Sequence, residues 1–384
     1  MKKTLFKVHS YLALIAVIPL MLILLTGALL VFKQEIDSLL MPNAAVVDHP
    51  GESRQNLNQL IGLVNQTFPD YELGSWEIFD DGHEADRVYL IRKGEGHWYK
   101  VYLDPYAGEV LSQPVSLNHL LTDWLLELHY TLLLNGLLSE DSHLGLVVGL
   151  IMALFLCVIG ITGLILYRNF WRYFFTFQWD ARPIILTRRL HRFVGIWCSP
   201  VLLVVGLTGL YFNLVEYLEE EQEHAGEVYV LEERLYNDQL DFQSLLNASR
   251  GHIEGFEPTY LLMPYEPDLN LVFFGSVPSL NPFASQYSST VSYSPSSGEH
   301  LANYDIREAG VGWAIIDSFR ALHFGNFAGL TSKIIWLVCG IGMCFMPISG
   351  VIMWWKRTSA KRRRKSQAEQ RRSARSKDNE HAAA

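Results

Sequence analysis

Four long apolar runs interrupt an otherwise polar chain. Each run is long enough to cross about 30 Å of hydrocarbon as an α-helix, and none carries a charged side chain. Such a stretch predicts a transmembrane helix, because a helix satisfies its own backbone hydrogen bonds where water is absent. The four runs are Tyr11–Phe32, Leu144–Tyr167, Phe193–Leu214 and Ile334–Trp355.

Lysine and arginine are distributed unevenly around these runs. The N-terminus, residues 168–192 and the tail after Lys356 are basic, whereas the two long polar segments are acidic. Basic segments remain in the cytoplasm, so both termini are predicted to lie there. The predicted layout has transmembrane helices at 1–32, 143–167, 193–214 and 333–355, exported segments at 33–142 and 215–332, a cytoplasmic loop at 168–192 and a basic cytoplasmic tail at 356–384.

The formal net charge of −9 hides this separation of acidic and basic segments. Because the basic tail follows a transmembrane helix, we interpret it as an orientation signal in contact with anionic membrane lipid. We expect no nucleic-acid partner. The exported segments contain no cysteine, which excludes a disulfide framework there. All four cysteines lie in the apolar runs, at Cys157, Cys198, Cys339 and Cys344.

The second half of the chain repeats the first. His9 corresponds to His191, 182 residues later, and in both halves a Thr-Gly pair follows seventeen residues after the histidine. Those pairs are Thr26-Gly27 and Thr208-Gly209. The repeat predicts two tandem copies of one unit, each made of a transmembrane helix, an exported segment and a second transmembrane helix.

The second transmembrane helix of each unit also has matching flanks. Residues 123–130 (DWLLELHY) correspond to 317–324 (DSFRALHF), and we expect Asp123 and Asp317 to cap short interfacial helices or to face solvent. These helices end with Thr162-Gly163 and Ser349-Gly350. Among thirteen histidines, only four occupy equivalent positions in both halves: His9, His129, His191 and His323.

These four histidines are predicted to form two facing pairs. His9 and His191 begin outward helices at the cytoplasmic side, whereas His129 and His323 precede inward helices at the outer side. A single histidine at such a boundary is often only an interfacial anchor. Two imidazoles that face each other from different helices are the axial ligands of a six-coordinate b-type haem, so the pattern predicts two b-type haems.

Other features bear on the metal and its surroundings. Zinc or non-haem iron sites normally include carboxylates or thiolates, and the apolar runs contain no charged residue. The glycines after the Thr and Ser residues are expected to leave room for a flat porphyrin. His143 is an alternative outer ligand in the first half. Histidines at opposite boundaries would put the two irons apart by up to about 30 Å.

The exported segments are predicted to be α+β. In the first, Leu57–Phe68 has helical periodicity, and Arg87–Arg92 and Tyr99–Leu103 alternate as strands. Matching strand and turn endings occur at 101–110 (VYLDPYAGEV) and 291–299 (VSYSPSSGE). No nucleotide-binding motif follows a strand, so reducing equivalents would come from quinol or from a protein electron donor.

These endings, with Leu-His-Tyr at 128–130 and Leu-His-Phe-Gly-Asn-Phe-Ala-Gly at 322–329, resemble the PepSY-associated transmembrane family over residues 1–358. The resemblance implies a bacterial inner-membrane protein with a four-helix transmembrane bundle and two exported PepSY-like domains. It also implies a haem-dependent reductase that passes electrons to a ferric siderophore or another ferric chelate in the periplasm, with His9, His129, His191 and His323 as haem ligands. The implied role is iron acquisition.

The sequence assigns no catalytic residue and leaves a second function open. PepSY modules elsewhere are associated with peptidase inhibition, so the alternative is a non-enzymatic membrane protein that binds or regulates a periplasmic peptidase. A transporter built on the repeat ranks third, because the apolar runs lack charged residues. The second exported segment departs from the family pattern in a polar insertion, Gly275–Ser289, which puts its binding properties in question.

Overall fold

A computed structural model describes residues 2–139, 142–169, 179, 182–223 and 229–383. Much of the predicted cytoplasmic loop at 168–192 therefore lies outside the described residues. The helices within the described ranges are α1 Lys2–Ile15, α2 Val17–Leu30, α3 Lys33–Leu40, α4 Pro42–Ala45, α5 Leu57–Thr67, α6 Leu121–Thr131, α7 Leu144–Leu166, α8 Pro183–Glu223, α9 Phe242–His252, α10 Val311–Phe324 and α11 Gly329–Ala383.

Three of these helices are long and apolar enough to cross a membrane. They are α7, α8 and α11, and the bent pair α1 and α2 makes a fourth if it is counted as one span. α8 extends into the predicted cytoplasmic loop, and α11 continues through the predicted basic tail. α7 packs against α8, and α11 packs against both α8 and α2. The chain is therefore a membrane helical protein that also contains a β-sheet.

The first predicted transmembrane helix is broken rather than continuous. α1 and α2 meet at Ala16 with a bend of 71°. Pro19 explains the break, because it has no N–H to donate to the carbonyl of Ile15 and its ring crowds that carbonyl. α1 packs on α7, whereas α2 packs on α6 and α11. The bend thus lets one predicted span contact different partners at its two ends.

Strands from both of the segments predicted to be exported form one nine-stranded sheet. Its order is β4-β3-β2-β1-β6-β7-β8-β9, with β5 paired to β3. All pairs are antiparallel, and β1 with β6 joins the two halves, where Glu77 faces Tyr260. The strands are β1 Tyr71–Glu77, β2 Asp86–Arg92, β3 Trp98–Asp104, β4 Glu109–Val110, β5 Val115–Ser116, β6 Glu257–Leu262, β7 Leu271–Ser276, β8 Ser289–Tyr293 and β9 His300–Tyr304.

This shared sheet differs from the expectation of two separate domains. If the two half-sheets were separate, β1 and β6 would each be an edge strand with unpaired backbone N–H and C=O groups. Pairing β1 with β6 satisfies these groups. The helices α5 and α9 also bond to each other at their N-termini. Asn58 Nδ2 donates to Asp241 at 2.7 Å, and the N–H of Phe242 donates to Asn58 Oδ1 at 2.7 Å.

The two faces of the sheet have different neighbours. One face packs with α5 and α9 around Trp76, Leu261 and Phe273, which are fully buried. Each such large side chain contributes about 1.5–3 kcal/mol of transfer free energy. The opposite face is rich in tyrosine and charged residues. It is joined to α6 through Lys100 of β3, so this polar face is turned toward the helix that carries His129.

Candidate functional site

The imidazole of His129 lies against α2 and has a defined hydrogen-bonding pattern. Its Nδ1 is 2.9 Å from the carbonyl oxygen of Ile23 and 3.2 Å from Thr26 Oγ1. A carbonyl can only accept, and the Thr26 hydroxyl donates its own proton to the carbonyl of Leu22 at 2.7 Å. Nδ1 of His129 must therefore carry the proton. The lone pair is left on Nε2, the nitrogen that would bind a metal.

The same arrangement occurs in the other three predicted sites. Each histidine contacts the Thr or Ser of a Thr-Gly or Ser-Gly pair, and that hydroxyl donates to the carbonyl four residues earlier in its own helix. Within the described residues, the hydrogen bonds of these rings all involve Nδ1. The distances are His9 Nδ1 to Thr162 Oγ1 3.0 Å, His191 Nδ1 to Ser349 Oγ 2.7 Å and His323 Nδ1 to Thr208 Oγ1 2.8 Å.

The glycine after each hydroxyl residue gives room to an imidazole. A Cβ added at Gly27 would lie 2.7 Å from Cε1 of His129, closer than any real contact. Comparable Cβ atoms at Gly163, Gly209 and Gly350 would meet Cε1 of their histidines at 3.4, 3.3 and 3.9 Å. The glycines were expected to make room for a porphyrin. In the structure, their nearest neighbours are the imidazoles, which they allow to approach the helix backbone.

The structure brings the histidines together in the predicted pairs. The rings of His129 and His323 have centroids 6.1 Å apart and an angle of 63° between their planes. Two imidazoles bonded at about 2 Å to opposite sides of one metal have centroids about 6 Å apart. His9 and His191 also lie near each other, on α1 and α8. The donor set therefore fits two six-coordinate haems, with neutral imidazoles on separate helices.

The two pairs lie closer in depth than a full membrane thickness. A Cβ added at Gly149 of α7 would lie 2.7 Å from the carbonyl oxygen of Tyr130, the residue after His129. Thr162, thirteen residues later on the same helix, contacts His9. At 1.5 Å per residue, this spacing is about 20 Å along the axis. The separation of the two pairs is smaller than the expected value of about 30 Å, because α6 places His129 beside α2.

Three other residues considered from the sequence have different surroundings. His143 precedes α7, and its Nδ1 is 3.8 Å from Glu220. Asp123 and Asp317 were expected to be caps or solvent-facing, but Leu120 and Gly310 occupy the N-cap positions of α6 and α10. Asp123 is buried in ion pairs, and Asp317 accepts a hydrogen bond from the backbone of the polar insertion. The cap prediction is therefore wrong for both residues, and the solvent-facing alternative is wrong for Asp123, whereas Asp317 is half-buried.

The partners of Asp123 form a buried charge network that the sequence did not reveal. Lys100 Nζ lies 2.5 Å from one carboxylate oxygen of Asp123, and Lys33 Nζ lies 2.9 Å from the other. Lys33 also pairs with Asp37 at 2.8 Å, and Thr122 donates to Asp37. Two ammonium groups thus face two carboxylates. Burial lowers the pKa of Lys100, and the adjacent Asp123 opposes that shift.

This network connects three parts of the molecule. Lys100 belongs to the sheet, Lys33 begins the helix after α2, and Asp123 lies on the helix that carries His129. The sequence gives little sign of this network. A lysine in a strand of alternating polar and apolar residues is normally exposed to solvent. Only the packing of α6 against the polar face of the sheet makes Lys100 a buried partner.

The chain matches a known protein family over nearly its whole length. The family described as the PepSY-associated TM region matches residues 6–357. No curated protein matches the chain. Within the described residues there is no cluster of three or more His, Cys, Asp or Glu side chains that could hold a metal ion.

Proposed function

The chain belongs to the PepSY-associated transmembrane family, and from this membership and its paired histidines we propose that it is an inner-membrane reductase of ferric chelates. In this proposal, α1 with α2, α7, α8 and α11 make four spans, and both termini are cytoplasmic. The two halves form a tandem repeat in which corresponding helices contribute corresponding ligands. The exported sheet lies in the periplasm, and the substrate is a ferric siderophore or a related ferric chelate.

The observation that carries the proposal is the same hydrogen-bonding unit at four histidines. In each unit, a hydroxyl or carbonyl oxygen holds the proton on Nδ1 and leaves Nε2 as a ligand. A helix anchor at the membrane surface has no need of a fixed tautomer. Hydrogen bonding of the distal nitrogen is the usual way in which proteins orient a metal-bound imidazole.

His129 with His323 would hold the outer haem, and His9 with His191 would hold the inner haem. When bound, a haem supplies one-electron redox chemistry between its Fe(III) and Fe(II) states. One electron converts Fe(III) in the chelate to Fe(II), and the electron originates from quinol or a protein donor. Hard oxygen ligands bind Fe(II) more weakly than Fe(III), so reduction favours release of the metal.

The residues of the chain have three tasks in this reaction. The hydroxyl groups of Thr26, Thr162, Thr208 and Ser349 orient the imidazoles. The apolar helices around them exclude water, which keeps each ligand neutral and each site dry. The sheet above the outer pair can hold a bulky chelate that never crosses the membrane. No acid or base is required, because the step transfers an electron and no proton.

The visible spectrum of the detergent-solubilised full-length chain tests this function. Dithionite reduction is expected to give the absorption bands of b-type haem, and extraction is expected to yield two haems per chain. Protein that is folded and carries no haem after expression with ample haem supply would overturn the proposal. That result would leave a non-enzymatic role in binding a periplasmic partner as the alternative.

A further inference from the structure

A cavity of about 510 Å³ lies between the polar face of the sheet and α10. Its size falls within the range of roughly 300–1,000 Å³ that small-molecule sites occupy. The wall is strongly aromatic, and it also contains charged groups. The residues that define its chemistry are Glu77, Tyr89, Trp98, Tyr260, Tyr287 and Arg320.

Both halves of the repeat are needed to build this cavity. Tyr89 and Glu77 come from the first half, and Tyr260 and Phe274 come from the second. Three of these side chains form a row across the central strands, because Glu77 pairs with Tyr260 and Tyr260 pairs with Phe274. The cavity thus lies where β1 and β6 join the two half-sheets.

The polar insertion in the second segment contributes another wall. It supplies Tyr287, whose ring lies 5.9 Å from that of Tyr260. The insertion is fixed to α10, because Asn281 Nδ2 donates to Ser318 Oγ at 2.8 Å and the N–H of Ser285 donates to Asp317 at 3.0 Å. The departure from the family pattern is therefore an ordered part of the cavity.

Arg320 gives the cavity an uncompensated positive charge. Its guanidinium lies over the rings of Tyr287 and Phe324, at 4.7 and 5.0 Å from their centroids. Within the described residues it has no carboxylate partner. Glu77, the acidic residue of the wall, is already paired with Arg87 at 2.6 Å and accepts a hydrogen bond from Tyr89 at 3.1 Å. A stacked guanidinium with free N–H groups suits an anion.

The phenols add hydrogen-bond donors and flat surfaces. Burial raises the pKa values of Tyr260 and Tyr287, so both hydroxyls stay protonated at neutral pH. Aromatic rings in the wall favour a ligand that carries rings of its own. Arg320 lies three residues before His323 on α10, so the two side chains occupy neighbouring positions on one side of that helix.

We propose that this cavity binds the ferric chelate, and that it selects an anionic chelate with aromatic ligand arms, a catecholate complex, over a neutral hydroxamate complex. The inference rests on the proposed function for the identity of the metal, and it adds the class of chelate. Arg320 supplies the attraction for the negative charge, and the tyrosines and Trp98 contact the rings. The site is beside the helix that carries the outer histidine, as electron transfer requires.

Binding is measured with gallium(III) complexes, which match the charge and shape of the ferric complexes and are not reduced. Equilibrium dialysis of the solubilised full-length chain compares trianionic gallium tris-catecholate with neutral gallium tris-hydroxamate. Wild-type protein is expected to prefer the catecholate. Arg320→Gln is expected to weaken catecholate binding by about tenfold or more, since a charge-assisted contact is lost. Arg320→Lys is expected to keep part of the affinity.

Arg307→Gln is the matched control, because Arg307 pairs with Asp305 on the exported segment and does not line the cavity. It is expected to bind like wild type. Equal catecholate affinity in Arg320→Gln and Arg307→Gln would overturn the site, as would equal affinity of wild type for both gallium complexes. Haem content is recorded on the same samples. Arg320-dependent binding by haem-free protein would support the site while overturning the reductase.

Discussion

Lys100 of the sheet and Asp123 of α6 lie 2.5 Å apart, and both side chains are buried. This pair is a direct link between the sheet and the helix that carries His129. Asp123 is six residues before that histidine, so a displaced carboxylate would shift the outer site. The sheet therefore contributes to the position of the helix that carries His129.

The first prediction concerns this link. Among the described residues, Lys100→Met leaves Lys33 as the ion-pair partner of Asp123, and removal of one partner from a buried ion pair costs about 3–5 kcal/mol. We expect a lower thermal unfolding temperature and an altered spectrum of the outer haem. Arg92→Met is the control, because Arg92 and Glu95 form a pair with both side chains exposed. Such a surface pair contributes about 0–1 kcal/mol. Equal stability of the two variants would contradict a structural role for Lys100.

The second prediction concerns the hydroxyl that orients His323. Thr208→Val keeps the shape and removes the oxygen that accepts from Nδ1 at 2.8 Å. Loss of a hydrogen bond to a metal-bound histidine typically lowers metal affinity by about 10–100-fold. We expect weaker haem retention in haem-transfer assays, and Thr208→Ser is expected to restore it because Ser349 does the same task for His191.

Thr187→Val provides the control for this substitution. The Thr187 hydroxyl is exposed and bonds the carbonyl of Pro183 within the same helix, so its loss has no effect on a histidine. Haem retention should match wild type. If Thr208→Val also retained both haems normally, the orienting role of the hydroxyl would be wrong.

The third prediction compares the space at two glycines, Gly27 and Gly350, that each follow a hydroxyl residue bonded to a histidine. Gly27→Ala puts a methyl group 2.7 Å from Cε1 of His129, so the imidazole must move. Overpacking of this kind costs about 1–3 kcal/mol. At Gly350 the nearest atom, Cε1 of His191, is 3.9 Å away, which is ordinary contact. We expect only Gly27→Ala to disturb haem binding, as read from the visible spectrum and the haem-to-protein ratio. A normal spectrum for Gly27→Ala would show that the imidazole has more freedom than the contacts indicate.

Much of the candidate site could be predicted because it repeats. The internal repeat selected four of thirteen histidines, and the structure brings those four into two pairs. The Thr-Gly and Ser-Gly pairs were also visible, although their role as partners of the imidazoles was not. A hydrogen bond between distant helices depends on packing, and the sequence records only that both residues recur at fixed spacing.

The parts that were missed depend on interactions between distant segments. Pro19 and Pro200 lie in similar apolar helices, yet the chain breaks before the first and continues through the second. The pairing of β1 with β6 joins strands from different halves of the chain, and no local pattern specifies it. Lys100 and Asp123 were also unpredictable as a pair, since neither the strand nor the helix indicates what packs against it.

The last prediction concerns the outer histidine pair and the direction of reduction. His323→Ala removes one imidazole of the pair whose centroids are 6.1 Å apart, and it is expected to remove about one haem per chain. Purified protein is placed in liposomes with a reductant enclosed on the cytoplasmic side and a ferric chelate outside. We expect the wild type to reduce the external chelate and His323→Ala to have lost this activity.

His143→Ala is the matched control, because His143 lies beside Glu220 at the start of α7 and outside the four repeated positions. Its haem content and its reduction of the external chelate should match wild type. Undiminished reduction by His323→Ala would contradict the proposed route through the outer pair. If His143→Ala lost one haem and His129→Ala kept its full haem content, His143 would instead be the outer ligand of the first half. The contacts of His129 with Ile23 and Thr26 argue against that outcome.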